Sequence, residues 1–155
     1  MPPPSPATPH LRFSAAWNGI PIAGVSRVSG LRRTIDVLEH QESTAAGGTT
    51  TTNVPGEESF EPVTIERSLT GDPAFAALAD AATPPAHGHI HGTAHLGTLT
   101  VSLHDQTGEL VLACTLHDAW VSSYDVFAEL DANGDEPVVE RITLVYESWQ
   151  LAHTP

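Results

Sequence analysis

Lysine is absent from the 155-residue sequence, and six arginines stand against 19 acidic residues, which gives a formal net charge of −13. A protein that binds nucleic acid through its phosphates needs a basic surface, and so does one that adheres to an anionic membrane. The charge balance therefore argues against a sequence-specific nucleic-acid partner and against a membrane partner.

Cysteine is limited to Cys114, which excludes an internal disulfide. Leu112 and Leu116 lie at the alternate positions on either side of it. This alternation predicts a small buried core residue rather than a nucleophile activated by a distant histidine. One free thiol and no disulfide suit a reducing compartment such as the cytoplasm.

Long apolar runs are also lacking. No stretch approaches the roughly 18 residues of a membrane span. The beginning of the chain, Met1–Pro6, has no charged region followed by an apolar run, so we expect no secretory signal. Five of the first ten residues are proline, which predicts a disordered segment over residues 1–10.

Catalytic motifs are missing too, since there is no Gly-x-Ser-x-Gly turn and no glycine-rich phosphate loop before a helix. The histidines at 87, 89, 91 and 95 could bind Zn or Ni, but no glutamate follows at the spacing of a cupin site. Asp131–Asp135 lacks the rest of a calcium loop and is interpreted as a turn. We predict no enzyme, no catalytic residue, no cofactor and no functional metal site. A monomeric metal-binding β-barrel built on His87, His89, His91 and His95 stays an alternative.

Strand and turn patterns dominate what is present. Asn18–Gly19 predicts a two-residue hairpin turn, and Pro21 predicts an edge strand because it cannot donate to a ladder. Val63 and Ile65 are expected to point inward, and a long strand should bend near Asp118–Ala119. The segment from Leu31 alternates as a half-buried strand. About seven strands result, around residues 11–17, 20–28, 31–39, 60–68, 98–103, 109–130 and 138–151.

One short helix is predicted after Gly71, with Asp72 as its N-cap and Pro73 in its first turn. Its apolar stripe is formed by Phe75, Leu78, Ala79 and Ala82. About seven strands separated by turns, with one short α-helix, predict a mainly β fold, an antiparallel barrel or sandwich.

Residues 41–56 break every pattern, because adjacent glycines and four consecutive threonines interrupt the apolar alternation. The segment predicts a long structureless loop, which in a compact domain is usually either functional or disordered. The length of the chain fits one domain, which we place at residues 11–151 after the proline-rich segment.

The order of several short motifs resembles the contractile phage tail-tube family, and is most similar to the inner tube protein of phage-tail-like contractile injection systems. The chain reads G-I-x-I-A-G-V-S-x-V-S-G-L from Gly19, then G-G at Gly47, P-G at Pro55 and V-T-I-E-R-S-L-T from Val63. It continues with H-D-A-W-V-S-S-Y from His117 and V-E-R-I-T-L-V-Y-E from Val139. These motifs cover roughly residues 13 to 150, and their order and spacing carry the resemblance.

The resemblance implies a tail-tube or Hcp-like fold and a structural subunit. It would form homo-hexameric rings, stacked into a tube inside a contractile sheath, with baseplate hub, spike and cap proteins as partners and protein cargo in the lumen. The particle would assemble in the bacterial cytoplasm and be released on lysis. The ring-stacking segment would comprise Gly47, Gly48, Thr49, Thr50, Asn53, Val54, Pro55 and Gly56. A true phage tail tube that conducts DNA is the alternative within the same fold.

Overall fold

The computed structural model describes residues 10–84, 92, 95–126, 132–135 and 138–153. Residues 1–9 of the predicted disordered segment lie outside this part, as do His87, His89 and His91. The described part holds one helix, α1 (Ala74–Ala82), and ten strands: β1 Arg12–Trp17, β2 Ile20–Ile22, β3 Val25–Ser29, β4 Arg33–Ser43, β5 Thr49–Phe60, β6 Val63–Ser68, β7 Gly97–His104, β8 Leu110–Asp125, β9 Val139–Val145 and β10 Ser148–His153.

The number of strands exceeds the predicted seven for three local reasons. The second predicted strand is divided at Gly24, whose φ of 75° turns the chain between β2 and β3. The last predicted strand, 138–151, is interrupted at Tyr146–Glu147. β5 occupies much of the segment predicted to have no structure. The fold class itself, mainly β with one short helix, is confirmed.

Eight strands form one antiparallel sheet in the order β2-β1-β7-β8-β9-β6-β3, with β10 also paired to β8. Its two terminal strands, β2 and β3, are joined by Ala23–Gly24 alone. The sheet therefore curls until its ends nearly meet, as the predicted barrel requires. Pro21 lies in β2 at the edge of this sheet, as predicted.

The predicted bend of the long strand is confirmed at Asp118, whose φ is 53°. On one side of the bend β8 pairs with β10, and on the other side it pairs with β9. The interruption at Tyr146–Glu147 lies opposite this bend, where the Glu147 amide donates to the His117 carbonyl at 3.1 Å. β9 and β10 thus run end to end along β8.

The barrel interior is filled by the residues that alternate inward. Val63, Ile65, Ile142 and Leu144 have no exposed surface, which confirms the inward orientation predicted for Val63 and Ile65. Cys114 is a free, buried thiol in the same cluster, and burial raises its pKa. Its predicted role in the core is confirmed.

The helix α1 packs mainly against β8 and buries Phe75 completely. Leu78, Ala79 and Ala82 pack against the core, as the predicted stripe requires. Pro73, and not the predicted Asp72, occupies the N-cap position, so the helix begins one residue later than predicted. Asp72 accepts a hydrogen bond from the Ala74 amide at 3.0 Å through Oδ1. Within the described residues, no helix has the length and apolar character to cross a membrane.

Candidate functional site

The segment predicted as a structureless loop at 41–56 is instead part of a β-hairpin, so that prediction is wrong. β4 and β5 pair in antiparallel register from Arg33 with Phe60 to Ser43 with Thr49. The turn is closed at Thr44, whose Oγ1 accepts a hydrogen bond from the Gly48 amide at 3.0 Å. The four consecutive threonines, which interrupt the apolar alternation and led to the prediction of a loop, are β-branched residues that favour a strand. We call the β4–β5 hairpin the arm.

The arm stands apart from the barrel. Its two strands form a sheet of their own, and every residue of β4 is exposed. The prediction of a half-buried strand is wrong here, because β4 leaves the barrel at Arg33 and, among the described strands, pairs with β5 alone. A two-stranded hairpin without further cover is marginally stable in water.

Both faces of the arm carry apolar side chains. Val37 pairs with Pro55, and the adjacent Leu38 pairs with Val54. Since successive residues of a strand point to opposite sides, one pair lies on each face. Val37 is 68% exposed and Leu38 is 53% exposed. Leu38 lies over Gly56, where a Cβ would be 2.9 Å from the Leu38 Cγ.

All eight residues predicted for ring stacking lie on the arm. The adjacent glycines occupy the turn, where Gly47 has a φ of 83°, and the others lie along β5 from Thr49 to Gly56. The sequence prediction for stacking did not include the exposed apolar residues of β4, namely Ile35, Val37 and Leu38. One signal was available on the β5 side, because the four threonines that follow the Gly-Gly step are β-branched, whereas residues 38–46 before it contain a single β-branched residue, Thr44.

At the root of the arm, where it joins the barrel, the two chain segments that lead into β4 and out of β5 approach each other closely. Gly30, with a φ of 94°, leaves 2.2 Å between an added Cβ and the Pro62 carbonyl oxygen. Beyond this close approach the Glu61 amide donates to the Arg32 carbonyl at 3.0 Å. β3 and β6 continue on the barrel side as paired strands. The arm is therefore the outer half of one long hairpin, held at Gly30 and Pro62.

Three aromatic rings pack at the same root. Phe60 ends β5, and its ring centroid lies 5.6 Å from that of Tyr146 and 5.5 Å from that of Trp149. Burial, and then the nearby Cys114 and Glu61, raise the pKa of Tyr146 to about 12. The Tyr146 hydroxyl has no hydrogen-bond partner among the described residues. This cluster ties the arm to the end of β9 and the start of β10.

Ionisation of the Tyr146 hydroxyl is expected to lower the stability of the fold at alkaline pH. Its pKa is raised from 10.0 to about 12, so the folded protein holds the phenolic proton more tightly than the unfolded chain. We expect the contribution to be complete below pH 10 and to be lost as the pH rises toward 12. Tyr146→Phe should reduce this alkaline loss and should not lower stability at pH 7, since no hydrogen bond is broken. Urea unfolding across this pH range tests it, and an unchanged pH dependence contradicts it.

The arm is acidic. It carries one arginine, Arg33, against five acids, Asp36, Glu39, Glu42, Glu57 and Glu58, a formal charge of −4. Arg33 pairs with Glu58 at 3.2 Å near the root. Farther out, Glu42 Oε1 lies 3.2 Å from His40 Nε2. The outer part of the arm therefore combines uncovered apolar pairs with an excess of negative charge.

Three members of the predicted histidine cluster, His87, His89 and His91, lie outside the described residues. Of its four members only His95 is described, and its ring lies 6.3 Å from that of Trp120 in an edge arrangement. In the ranges that the structure covers, no group of His, Cys, Asp or Glu side chains could hold a metal ion.

Comparison with known proteins matches the chain to the family described as T4-like virus tail tube protein gp19, over residues 9–150. A search of curated protein sequences finds no significant match.

Solved structures share the fold at low identity. The cap of the anti-feeding prophage superposes with a TM-score of 0.76 at 18% identity, over 97% of this chain and 93% of that one. The sheath–tube complex of the PVC extracellular contractile injection system gives 0.73 at 19%, over 92% and 89%. Hcp1 from Flavobacterium johnsoniae gives 0.54 at 15%, over 92% and 95%. The family match spans the arm and all of the barrel except the last residues of β10, and the chain belongs to the T4-like tail tube family.

Proposed function

We propose that the chain is the inner-tube subunit of a phage-tail-like contractile injection system. Six copies form a ring, and rings stack into a conduit for protein cargo inside a contractile sheath. The baseplate hub, the spike and the cap complete the particle, which assembles in the bacterial cytoplasm. The subunit has a structural role in the wall of the tube and carries out no catalysis. Membership of the tail tube family and the likeness to injection-system tube and cap structures support this assignment.

The single observation that carries the proposal is the uncovered arm. A lone hairpin with apolar pairs on both faces buries too little surface to order itself. The second strand layer that it needs is not supplied by the described part of its own chain, in which β4 and β5 pair with each other alone. A neighbouring copy supplies it in an assembled tube.

Strand edges point to the same conclusion. β2 and β3 end the sheet, and β10 pairs on one side with β8. Open edges are satisfied when a neighbouring subunit adds a strand. Pairing of edges within a ring, together with stacking through the arm, gives a closed ring that repeats along one axis.

A tail tube that conducts DNA in a contractile phage is the second candidate, and the name of the matched family favours it. The two are separated by the content of intact particles. Nuclease-resistant DNA inside the tube supports the phage, and protein inside it supports the injection system.

Assembly of the purified chain tests the proposal. We expect hollow tubes by negative-stain electron microscopy, built from a 16.4 kDa chain. Leu38→Ser with Val54→Ser should leave rings but abolish tubes, because both residues lie on one exposed face of the arm. Leu69→Ser is the matched control, an exposed leucine outside the arm. A monomer by light scattering at every concentration, also with its baseplate present, contradicts the proposal.

A further inference from the structure

Four strands form one wall of the barrel: β3, β6, β9 and the outer half of β8, residues 120–125. Among the described strands, β3 pairs with β6 alone. The outer half of β8 pairs with β9 alone, because β7 and β10 pair with β8 only as far as Ala119. Ser122 and Ser123 on this edge are exposed. The wall therefore has two edges whose outward backbone N–H and C=O groups favour pairing with a strand of another chain.

The outer face of the wall carries a row of alternating charges. The row crosses the four strands in register and consists of Arg27, Glu66, Arg141 and Asp125. It points away from the core, because successive residues of a strand point to opposite sides and neighbours such as Ile65 are buried. At its centre Arg141 Nη2 lies 2.6 Å from Glu66 Oε1. In the part of the chain that the structure describes, the two end members, Arg27 and Asp125, form no ion pair. The wall thus ends in an unmatched positive charge at one edge and an unmatched negative charge at the other.

A second row lies two residues along each strand from the first. It consists of hydroxyl side chains, again one from each strand in register: Ser29, Thr64, Thr143 and Ser123. The Thr64 and Thr143 hydroxyl oxygens lie 3.3 Å apart, and the two serines at the ends are exposed. The charged row and the hydroxyl row therefore share one register across the whole wall.

Strand direction limits how a second copy can extend the wall. Four antiparallel strands alternate in direction, so β3 and the outer half of β8 run in opposite directions. A copy rotated about an axis along the strands keeps these directions, so its β3 is antiparallel to the β8 edge of the first copy. A displacement of two residues leaves the same side chains outward. Backbone pairing alone therefore does not select one register.

We propose that Asp125 of one copy pairs with Arg27 of the next, and that this pair selects the register in which neighbouring copies join. The inference rests on the proposed tube, and it adds to edge pairing the two residues that fix its register. Ser123 then lies opposite Ser29 of the next copy, and both rows continue across the junction. A displacement of two residues places Asp125 opposite Ser29, which has no charge to neutralise it. Because the ends of the charged row have opposite signs, every junction of a closed ring is matched in the same way.

Exchange of the two charges tests the pair. Arg27→Asp and Asp125→Arg each place like charges at every junction, and each should raise the concentration needed for rings by about tenfold or more. The double variant, Arg27→Asp with Asp125→Arg, restores opposite charges and should form rings as the wild type does. Arg12→Asp is the matched control, because it makes the same change of charge at the other described arginine without an ion pair, outside the wall.

Light scattering measures ring formation, and circular dichroism shows that each variant is folded. Recovery of rings in the double variant supports the inference. Rings from either single variant at the wild-type concentration, or a folded double variant without rings, overturn it while the proposed function stands. If the wild-type chain forms neither rings nor tubes, the proposed function itself fails.

Disulfide trapping tests the register without changing the charges. Ser123→Cys with Ser29→Cys should form crosslinks between copies under oxidation. A link within one copy is excluded, because three strand spacings separate the two positions by about 14 Å, beyond the reach of a disulfide. The matched control, Ser123→Cys with Thr51→Cys, tests whether the β8 edge receives the arm of another copy instead, and Cys114 is buried and common to both. Rings without the link between 123 and 29, or a stronger link between 123 and 51, overturn the inference.

Discussion

Arg67→Met is expected to lower the free energy of unfolding by about 3–5 kcal/mol, because it leaves a buried carboxylate without its counter-ion. Arg67 has no exposed surface, and Glu140 is 3% exposed. The Arg67 Nε donates to Glu140 Oε1. Tyr124 donates its hydroxyl to the other carboxylate oxygen at 3.2 Å, which cannot replace the lost positive charge.

The position of Arg67 explains why the effect should spread beyond one ion pair. Its Nη2 donates to the Asp72 carbonyl at 2.7 Å and its Nη1 to Asp72 Oδ2 at 3.1 Å, just before α1. Nη1 also donates to the Ala23 carbonyl at 3.5 Å, between the two edge strands of the barrel. Its guanidinium lies 4.2 Å from the centre of the Phe75 ring. One side chain thus joins β6, β9, the start of α1 and the seam between β2 and β3.

Urea unfolding monitored by tryptophan fluorescence measures the change. Arg32→Met is the matched control, because Arg32 forms a 3.3 Å ion pair with Glu61 but its side chain is 70% exposed. Exposed pairs of this kind contribute about 0–1 kcal/mol. Arg67→Met combined with Glu140→Leu should recover part of the loss, since it removes the stranded charge. Equal effects of Arg67→Met and Arg32→Met would show that the buried cluster does not hold the seam.

The sequence predicts the barrel core well because the core depends on local alternation. Val63 and Ile65, or Ile142 and Leu144, occupy alternate positions of their own strands, and the period of two places them on one face. The bend at Asp118 and the edge position of Pro21 follow from equally local rules. The cluster around Arg67 does not, because Glu140 lies 73 residues away and no local pattern pairs the two.

The arm was missed for a different physical reason. Its low hydrophobicity and its Gly-Gly step are those of a loop, and its pairing becomes visible only when β4 and β5 are set in register. Its alternation suggested a buried face at Ile35 and Val37, whereas both are exposed. The alternation identifies apolar side chains that favour burial, but it does not show whether the same chain or another chain buries them. The predicted stacking residues therefore fall together on one element, the arm, but do not include its β4 strand, and their role in stacking stays a prediction.

Gly30→Ala is expected to have the second large effect, on both stability and assembly. Its φ of 94° costs a residue with a side chain about 1–2 kcal/mol. The new Cβ would also lie 2.2 Å from the Pro62 carbonyl oxygen and 3.5 Å from the Val63 Cα. Both belong to the backbone of the opposite strand, so relief requires the two strands at the arm's root to separate.

Gly24→Ala separates the two causes. Gly24 has a φ of 75° and meets no atom closer than 3.9 Å, so it carries the left-handed strain without the clash. We expect Gly24→Ala to lose stability and still form tubes, and Gly30→Ala to lose more stability and form no tubes even at temperatures where it stays folded. Circular dichroism and electron microscopy of the two variants make the comparison. Tubes from folded Gly30→Ala would mean that the arm finds its partner whatever the angle at its root. Loss of tubes in folded Gly30→Ala would mean that the close approach of Gly30 and Pro62 sets the direction of the arm. A contact within the subunit would then determine the contact between subunits.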